Sequence, residues 1–131
     1  MDKTLFGYCI GADVYVGISG KRIFNVNSKN NSKSVECVTL RDTMLRLVLF
    51  LLENANGSIT PTKYILSGVW DAYGLSSSGP RLWHVMQQLK IKLNMVGVPD
   101  QFIMKVENKG YYLKENMIRK LYVISEENVF E

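Results

Sequence analysis

The sequence contains little cysteine, histidine or proline. Two cysteines and one histidine occur among 131 residues, so we expect neither a disulfide framework nor a multi-histidine metal site. Cys9 and Cys37 are predicted to be small buried hydrophobic residues of a reduced protein. The most apolar stretch, residues 44–52, is interrupted by Arg46 and has about half the length that a bilayer requires. It is therefore not expected to span a membrane.

The remaining composition is that of one globular domain. Hydrophobic residues make up 47% of the chain and charged residues 21%, which excludes wholesale disorder. The first residues, Met1-Asp2-Lys3, lead into an alternating pattern and not into the apolar stretch of a signal peptide. We therefore expect a cytoplasmic protein.

Positive charge is concentrated in the second half of the chain. The formal net charge is +4, and residues 61–120 contain nine basic and four acidic side chains. Residues 121–131 contain three glutamates and no basic residue. This distribution is compatible with a polyanionic partner without identifying one.

The residue pattern predicts strands first. Apolar residues alternate with polar or small ones within residues 8–26, and residues 35–38 form a further short apolar segment. The polar stretch 27–32 between them is predicted to be a loop. These segments together indicate a small antiparallel sheet at the N-terminus.

Three helices are predicted after this sheet. Thr39 is a plausible N-cap for the first, with Asp42 reaching back as in a capping box. The second covers residues 63–70, and the third covers residues 81–96, where one face is apolar. Residues 102–106 and 111–113 then predict a hairpin around a turn at 107–110. The order predicts an α+β fold: a winged helix-turn-helix with an N-terminal antiparallel sheet, three helices and a C-terminal β-hairpin wing.

Three pieces of sequence support a family resemblance. Residues 38–40 (Val-Thr-Leu) precede the first helix, and residues 65–70 (Ile-Leu-Ser-Gly-Val-Trp) form most of the second. Residues 89–93 belong to the third helix, followed by 103–106 and by Lys-Gly-Tyr-Tyr-Leu at 109–113. In this order they resemble the DNA-binding domain of OmpR/PhoB-type transcription regulators, a module also found at the N-terminus of ToxR/CadC-type membrane regulators.

The resemblance implies a winged-helix domain at residues 1–114, with 115–131 as a C-terminal extension or the start of a linker. It implies sequence-specific binding of double-stranded DNA by a bacterial transcription regulator. The helix 81–96 would enter the major groove, and the wing 107–112 would lie on the flanking groove or backbone. The protein would be cytoplasmic, or the cytoplasmic domain of an inner-membrane regulator if the parent chain is longer. The candidate DNA-binding residues are Arg81, His84, Val85, Gln87, Gln88, Lys90, Lys92, Asn108, Lys109 and Tyr112.

Some positions depart from the family pattern. The family usually has arginine where this chain has Lys90, and commonly has arginine where it has Gln88 and Tyr112. These changes lower the charge available for phosphate. For residues 115–131, an added strand, an added helix and the start of a linker all stay open.

The resemblance also implies protein partners. The loop 71–79 corresponds to one that can contact RNA polymerase, which makes Tyr73 and Leu75 candidate partner-contact residues. A second protomer on tandem half-sites is expected, but no small-molecule substrate and no cofactor. Two alternatives stay open: a winged-helix adaptor for proteins with little specific DNA affinity, and a sequence-independent nucleic-acid packaging protein. We expect no enzyme, because the single histidine lies on the proposed DNA face and no phosphate-binding glycine motif occurs.

Overall fold

The computed structural model describes residues 2–28 and 34–124, in which the largest sheet has five antiparallel strands. The strands are β1 (Lys3–Ile10), β2 (Val14–Gly17), β3 (Arg22–Asn25), β4 (Cys37–Thr39) and β8 (Ile118–Ile124), in the order β4-β3-β2-β1-β8. The alternation predicted in residues 8–26 is observed, because Val14, Val16 and Ile23 are buried on one face. Of the predicted loop 27–32, residues 29–32 lie outside the described ranges.

Three helices and a second sheet follow. The helices are α1 (Asp42–Asn54), α2 (Thr62–Val69) and α3 (Gly79–Met95). The second sheet contains β5 (Thr60–Pro61), β6 (Ile103–Val106) and β7 (Gly110–Leu113), in the order β5-β7-β6. The predicted α+β winged helix-turn-helix is confirmed, and the hairpin β6–β7 is its wing.

The core lies between the first sheet and the helices. Each helix buries one apolar face, as a 3.6-residue period requires. Leu47 and Leu51 of α1, Ile65 of α2 and Leu89 of α3 are inaccessible to solvent. At the end of α2, Trp70 is also buried. The packing fixes α3 against α1 and α2 and leaves its other face in solvent.

The predicted capping box at the start of α1 is wrong. Thr39 belongs to β4, where it pairs with Arg22, and the amide of Leu40 donates to the carbonyl of Lys21. The chain is therefore still in the sheet where the cap was expected. The helix starts at Asp42, whose carboxylate is 2.7 Å from the Lys21 ammonium. This ion pair lowers the pKa of Asp42.

The two cysteines are not buried in the core as predicted. Cys9 and Cys37 are free thiols of intermediate exposure. Cys9 lies opposite Tyr15, and Cys37 lies opposite Phe24. These residues share the outer face of the first sheet, because Tyr8, Val16 and Ile23 at neighbouring positions are buried on the other face. The thiols are partly accessible because none of the three helices packs on that outer face.

Residues 118–124 are an added strand of this sheet. β8 pairs with β1 from Ile10↔Ile118 to Lys3↔Ile124, with a bulge between Leu5 and Gly7. The strand is fastened to α1 as well, since Lys120 lies 3.3 Å from the carboxylate of Glu53. Residues 125–131 of the predicted extension lie outside the described ranges.

Candidate nucleic-acid interface

The start of α3 is set by its capping residues. The Ser78 hydroxyl accepts a hydrogen bond of 3.2 Å from the amide of Arg81, and Pro80 lies in the first turn, where its missing N–H has no cost. Four apolar side chains anchor the helix: Leu82, Met86, Leu89 and Leu93. The remaining faces are available for contact outside the domain.

A groove of about 770 Å³ separates one flank of α3 from the start of α1. We call it the α1–α3 groove. Its polar lining residues are Arg41, Thr43, Arg81, His84, Gln88 and Lys92, and its apolar ones are Met44, Trp70, Leu75 and Val85. Three permanent cations and one imidazole thus line the groove, and no acidic residue of the described chain does so. An anionic ligand is favoured there.

Two of these cations are held by backbone carbonyl groups. Nη1 of Arg81 donates to the carbonyl oxygen of Ser76 at 2.7 Å. Nζ of Lys92 donates to the carbonyl oxygen of Thr39 at 2.9 Å. Each bond uses one donor and leaves others free, because a guanidinium has five N–H groups and an ammonium three. The two charges are therefore positioned at opposite ends of the α3 flank without being neutralised.

The predicted helix residues do not all share one face. The α1–α3 groove contains Arg81, His84, Val85, Gln88 and Lys92. Gln87 and Lys90 instead line a second groove of about 500 Å³, with Ile91, Asn94, Met95 and Asp100. The reason is helical geometry, since each residue advances by about 100° around the axis. The structure therefore separates the predicted residues into two flanks of α3.

The wing presents the predicted residues Asn108 and Lys109 at an exposed turn. Asn108 has a φ of 61°, which asparagine tolerates better than most residues. Gly110 has a φ of 152°, and a Cβ there would collide with the carbonyl of Thr60 on the neighbouring strand β5. The turn therefore requires glycine. Tyr112, the third predicted wing residue, is half-buried opposite Met104.

Tyr73 and Leu75 in the loop after α2 are both exposed, to 57% and 41%. They do not form one patch. The Tyr73 ring stacks on the guanidinium of Arg46 in α1, with 4.2 Å between the guanidinium carbon and the ring centre. Leu75 lines the α1–α3 groove. The loop therefore presents one residue beside the candidate nucleic-acid surface and one beside α1.

Sequence reasoning missed Arg41 and Thr43. Both lie about 40 residues before α3, and both line the groove next to it. The available signal was an arginine directly before a predicted helix, at the end where the helix dipole also favours anions. Trp83 of α3 is 53% exposed.

Residues 2–28 and 34–124 contain no cluster of three or more histidine, cysteine or acidic residues that could hold a metal ion. None of the helices within those ranges is long and apolar enough to cross a bilayer.

Neither a protein-family model nor a curated protein sequence matches the chain. Solved structures do. The DNA-binding domain of E. coli CadC is similar with a TM-score of 0.66 and 17% identity, covering 90% of this chain and 98% of that one. The DNA-binding domain of the response regulator AdeR was solved in complex with an intercistronic region. It gives a TM-score of 0.58 and 12% identity, covering 79% of this chain and 96% of that one. The C-terminal domain of the nisin resistance regulator NsrR, a lantibiotic response regulator, gives a TM-score of 0.55 and 17% identity, covering 86% of this chain and 96% of that one.

The likeness covers nearly the whole of each of these three domains. It also covers 79–90% of this chain and therefore extends beyond the three helices. The chain has the winged-helix fold of OmpR/PhoB-type DNA-binding domains.

Proposed function

We propose that this chain binds double-stranded DNA in a sequence-specific way as part of a bacterial transcription regulator. The observation that supports this most is the α1–α3 groove, where Arg41, Arg81, His84 and Lys92 flank the exposed Gln88. A surface that combines permanent cations with a neutral amide suits DNA. The cations bind phosphate whatever the sequence, and the amide can hydrogen-bond a base edge.

The two flanks of α3 suggest a division of contacts. A helix in the major groove has one DNA strand on either side. We assign Arg41, Arg81 and Lys92 to the phosphates of one strand. Lys90, on the opposite flank with Gln87, is assigned to the other strand. Gln88 and His84, which are exposed and also line the α1–α3 groove, are assigned to base edges.

The wing is assigned to the flanking groove or backbone. Lys109 and Asn108 are exposed at the turn between β6 and β7, and exposed lysine and asparagine side chains at a hairpin tip can enter a minor groove. Tyr112 is half-buried in β7, and we assign its hydroxyl to a phosphate oxygen.

Protein contacts are a second part of the proposal. Tyr73 is exposed beside α1, and we assign it to a partner protein, with RNA polymerase as the partner that the family resemblance implies. Leu75 lines the α1–α3 groove and would be close both to bound DNA and to a partner protein at Tyr73. Two protomers on tandem half-sites are expected from the same resemblance. DNA binding places the domain in the cytoplasm, either alone or as part of an inner-membrane regulator.

The alternative is an adaptor that binds proteins and has little specific DNA affinity. The contact between Tyr73 and Arg46 favours it, because an exposed ring stacked on a cation is a rigid and partly apolar surface. No described residue accepts a hydrogen bond from Nη1 of Arg46, a buried atom.

The first experiment is selection of bound fragments from a sheared bacterial genomic pool at physiological salt. A sequence-specific protein should enrich a motif, because specific and non-specific affinities typically differ by about 10³-fold or more. Gln88→Ala should relax the motif at one or two base pairs, with a loss of about 1–3 kcal/mol on the preferred sequence. Gln101→Ala is the matched control, since Gln101 is also exposed but lies in neither groove of α3.

Each outcome separates the candidates. A motif that Gln88→Ala relaxes supports the regulator and identifies the reading helix. Retention without a motif, lost at higher salt, contradicts sequence specificity and favours packaging. Absence of retention contradicts DNA binding and favours the adaptor, for which Tyr73→Ala is the next variant.

A further inference from the structure

The strand β8 is an exposed sheet edge. Within the described chain it pairs with β1 only, so its other side has no neighbouring strand. The edge is seven residues long, and it contains no proline or bulge that would block another strand. Protein sheet edges are usually shortened, charged or covered, since unpaired N–H and C=O groups accept further strands.

The second half of this edge is apolar. Tyr122, Val123 and Ile124 are 47%, 51% and 51% exposed, and half-buried Leu121 precedes them. The charged residues of β8 are Arg119 and Lys120, at its other end. Lys120 is engaged with Glu53 on α1. Four consecutive apolar residues on an open edge are typical of an interaction surface.

The pattern of β8 is complementary to itself. In an antiparallel pair of two copies centred on Leu121, Arg119 lies opposite Val123 of the other copy. Lys120 likewise lies opposite Tyr122, and Ile118 lies opposite Ile124. All seven residues are paired, and no like charges face each other. Centring the pair on Arg119 or Lys120 instead would place two identical cations in contact, which is destabilising.

The Tyr122 ring already makes one diagonal cation–π contact within the chain, since Lys3 lies opposite Ile124. On the β1 side of the same strand, the ammonium of Lys3 lies 5.5 Å from the centre of the Tyr122 ring. Lys120 of the other copy would lie beside the free side of this ring, with its side chain 42% exposed next to Glu53. The ring is 47% exposed, which leaves room for it.

We propose that β8 is a homodimer interface, in which two copies of this chain pair antiparallel about a twofold axis at Leu121 and join their five-stranded sheets into one. The contact is isologous, because the same strand serves both copies. It differs from a head-to-tail arrangement on tandem half-sites, and it does not depend on DNA.

The test is the oligomeric state of the whole 131-residue chain without DNA, measured by sedimentation equilibrium over about a hundredfold range of concentration. The wild type should dimerise. Val123→Glu places a carboxylate opposite the partner copy's arginine at 119 and should lower the dimer Kd, and Val123→Lys should raise it. Each change is about twofold to thirtyfold, since two symmetry-related pairs are affected. Arg119→Glu combined with Val123→Lys should restore the wild-type Kd.

Two controls keep the result interpretable. Ile59→Glu and Ile59→Lys make the same charge changes at a β-branched residue that is 44% exposed and lies outside the first sheet. They should leave the Kd unchanged. Hydrogen exchange on the unaltered protein is independent of any variant, and the outward amides of β8 should exchange more slowly as concentration rises.

A chain that stays monomeric, with β8 exchange independent of concentration, overturns the proposal. A dimer whose Kd responds equally to both charges at residue 123 overturns it as well, because the interface would then lie elsewhere or have another register.

Discussion

Asn25 on β3 donates a hydrogen bond of 2.7 Å from Nδ2 to the carbonyl oxygen of Val96, the C-cap residue that follows α3. Its Oδ1 accepts a second bond, of 2.8 Å, from the amide of Asn27. Asn25 is 5% exposed, one of two polar residues in the described core. One buried amide thus joins the first sheet to the C-terminal end of the candidate DNA-reading helix.

Asn25→Ala should destabilise the domain by about 1–3 kcal/mol, because the carbonyl of Val96 would lose its hydrogen-bond partner in a buried site. Urea unfolding followed by tryptophan fluorescence measures the change, since Trp70 is buried. Asn94→Ala is the control: its hydrogen bond to Asp100 is exposed, and its loss should cost less than about 0.5 kcal/mol. Equal losses would contradict a special role for Asn25.

Gly68 allows α2 to pack closely on α1. A Cβ at this position would collide with the ring of Phe50. Gly68→Ala should therefore destabilise by about 1–2 kcal/mol, although alanine is intrinsically better than glycine in a helix by about 1 kcal/mol. In a Phe50→Ala background the collision is gone, and the same substitution should become stabilising. Thermal unfolding of the four proteins measures this coupling, and additive effects would contradict it.

Stability should fall in acid partly through Glu53. The Tyr8 hydroxyl donates a hydrogen bond of 2.8 Å to this carboxylate, and that bond, followed by Lys120, lowers the pKa of Glu53 below its ordinary value of 4.5. Since the folded-state pKa lies below the unfolded one, the stabilisation is present above the unfolded pKa and is lost as pH falls through the folded pKa. Glu53→Gln should cost about 0.5 kcal/mol at neutral pH, because half of the side chain is exposed.

The melting temperature from pH 7 to about pH 3 tests this assignment. The difference between wild type and Glu53→Gln should shrink below pH 4.5. Tyr8→Phe removes the same hydrogen bond by deleting its donor. The difference in melting temperature between wild type and Tyr8→Phe should therefore shrink over the same pH range. A difference that is constant with pH would show that the carboxylate charge is not involved.

Much of the fold follows from local pattern. The three-and-four spacing of Leu82, Met86, Leu89 and Leu93 predicts α3 to within two residues of its observed ends, because the apolar face is continuous. Strand β8 has no such signal. It is an edge strand exposed on both faces, so its residues do not alternate between polar and apolar. The capping residue predicted at Thr39 is wrong because strand pairing between distant residues also leaves no local signal. Pairing with Arg22 keeps Thr39 in the sheet.

The site was less predictable than the fold. The pattern identifies the exposed residues of α3 without showing what lies beside them. That Arg41 borders Gln88 and Lys92, whereas Gln87 and Lys90 face another groove, depends on how α1 packs against α3. Long-range packing of this kind has no sequence-local signature.

Arg41 gives the sharpest test of the groove. It is exposed, it lines the groove, and its side chain makes no capping bond to α1, so it is available for phosphate. Arg41→Ala should weaken binding to specific and random DNA alike. It should also make the plot of log K against log salt shallower by about 0.9, the slope of one phosphate contact. Titrations at four salt concentrations by fluorescence anisotropy measure this slope.

The control for this experiment is Arg22→Ala, which removes the same charge from an exposed residue of β3 outside the groove. Because both variants lower the net charge equally, a general field effect would change their slopes by the same amount. A direct phosphate contact by Arg41 predicts that its slope changes and that of Arg22→Ala does not. A changed base preference in Arg41→Ala would instead assign the residue to a base edge and contradict the phosphate role.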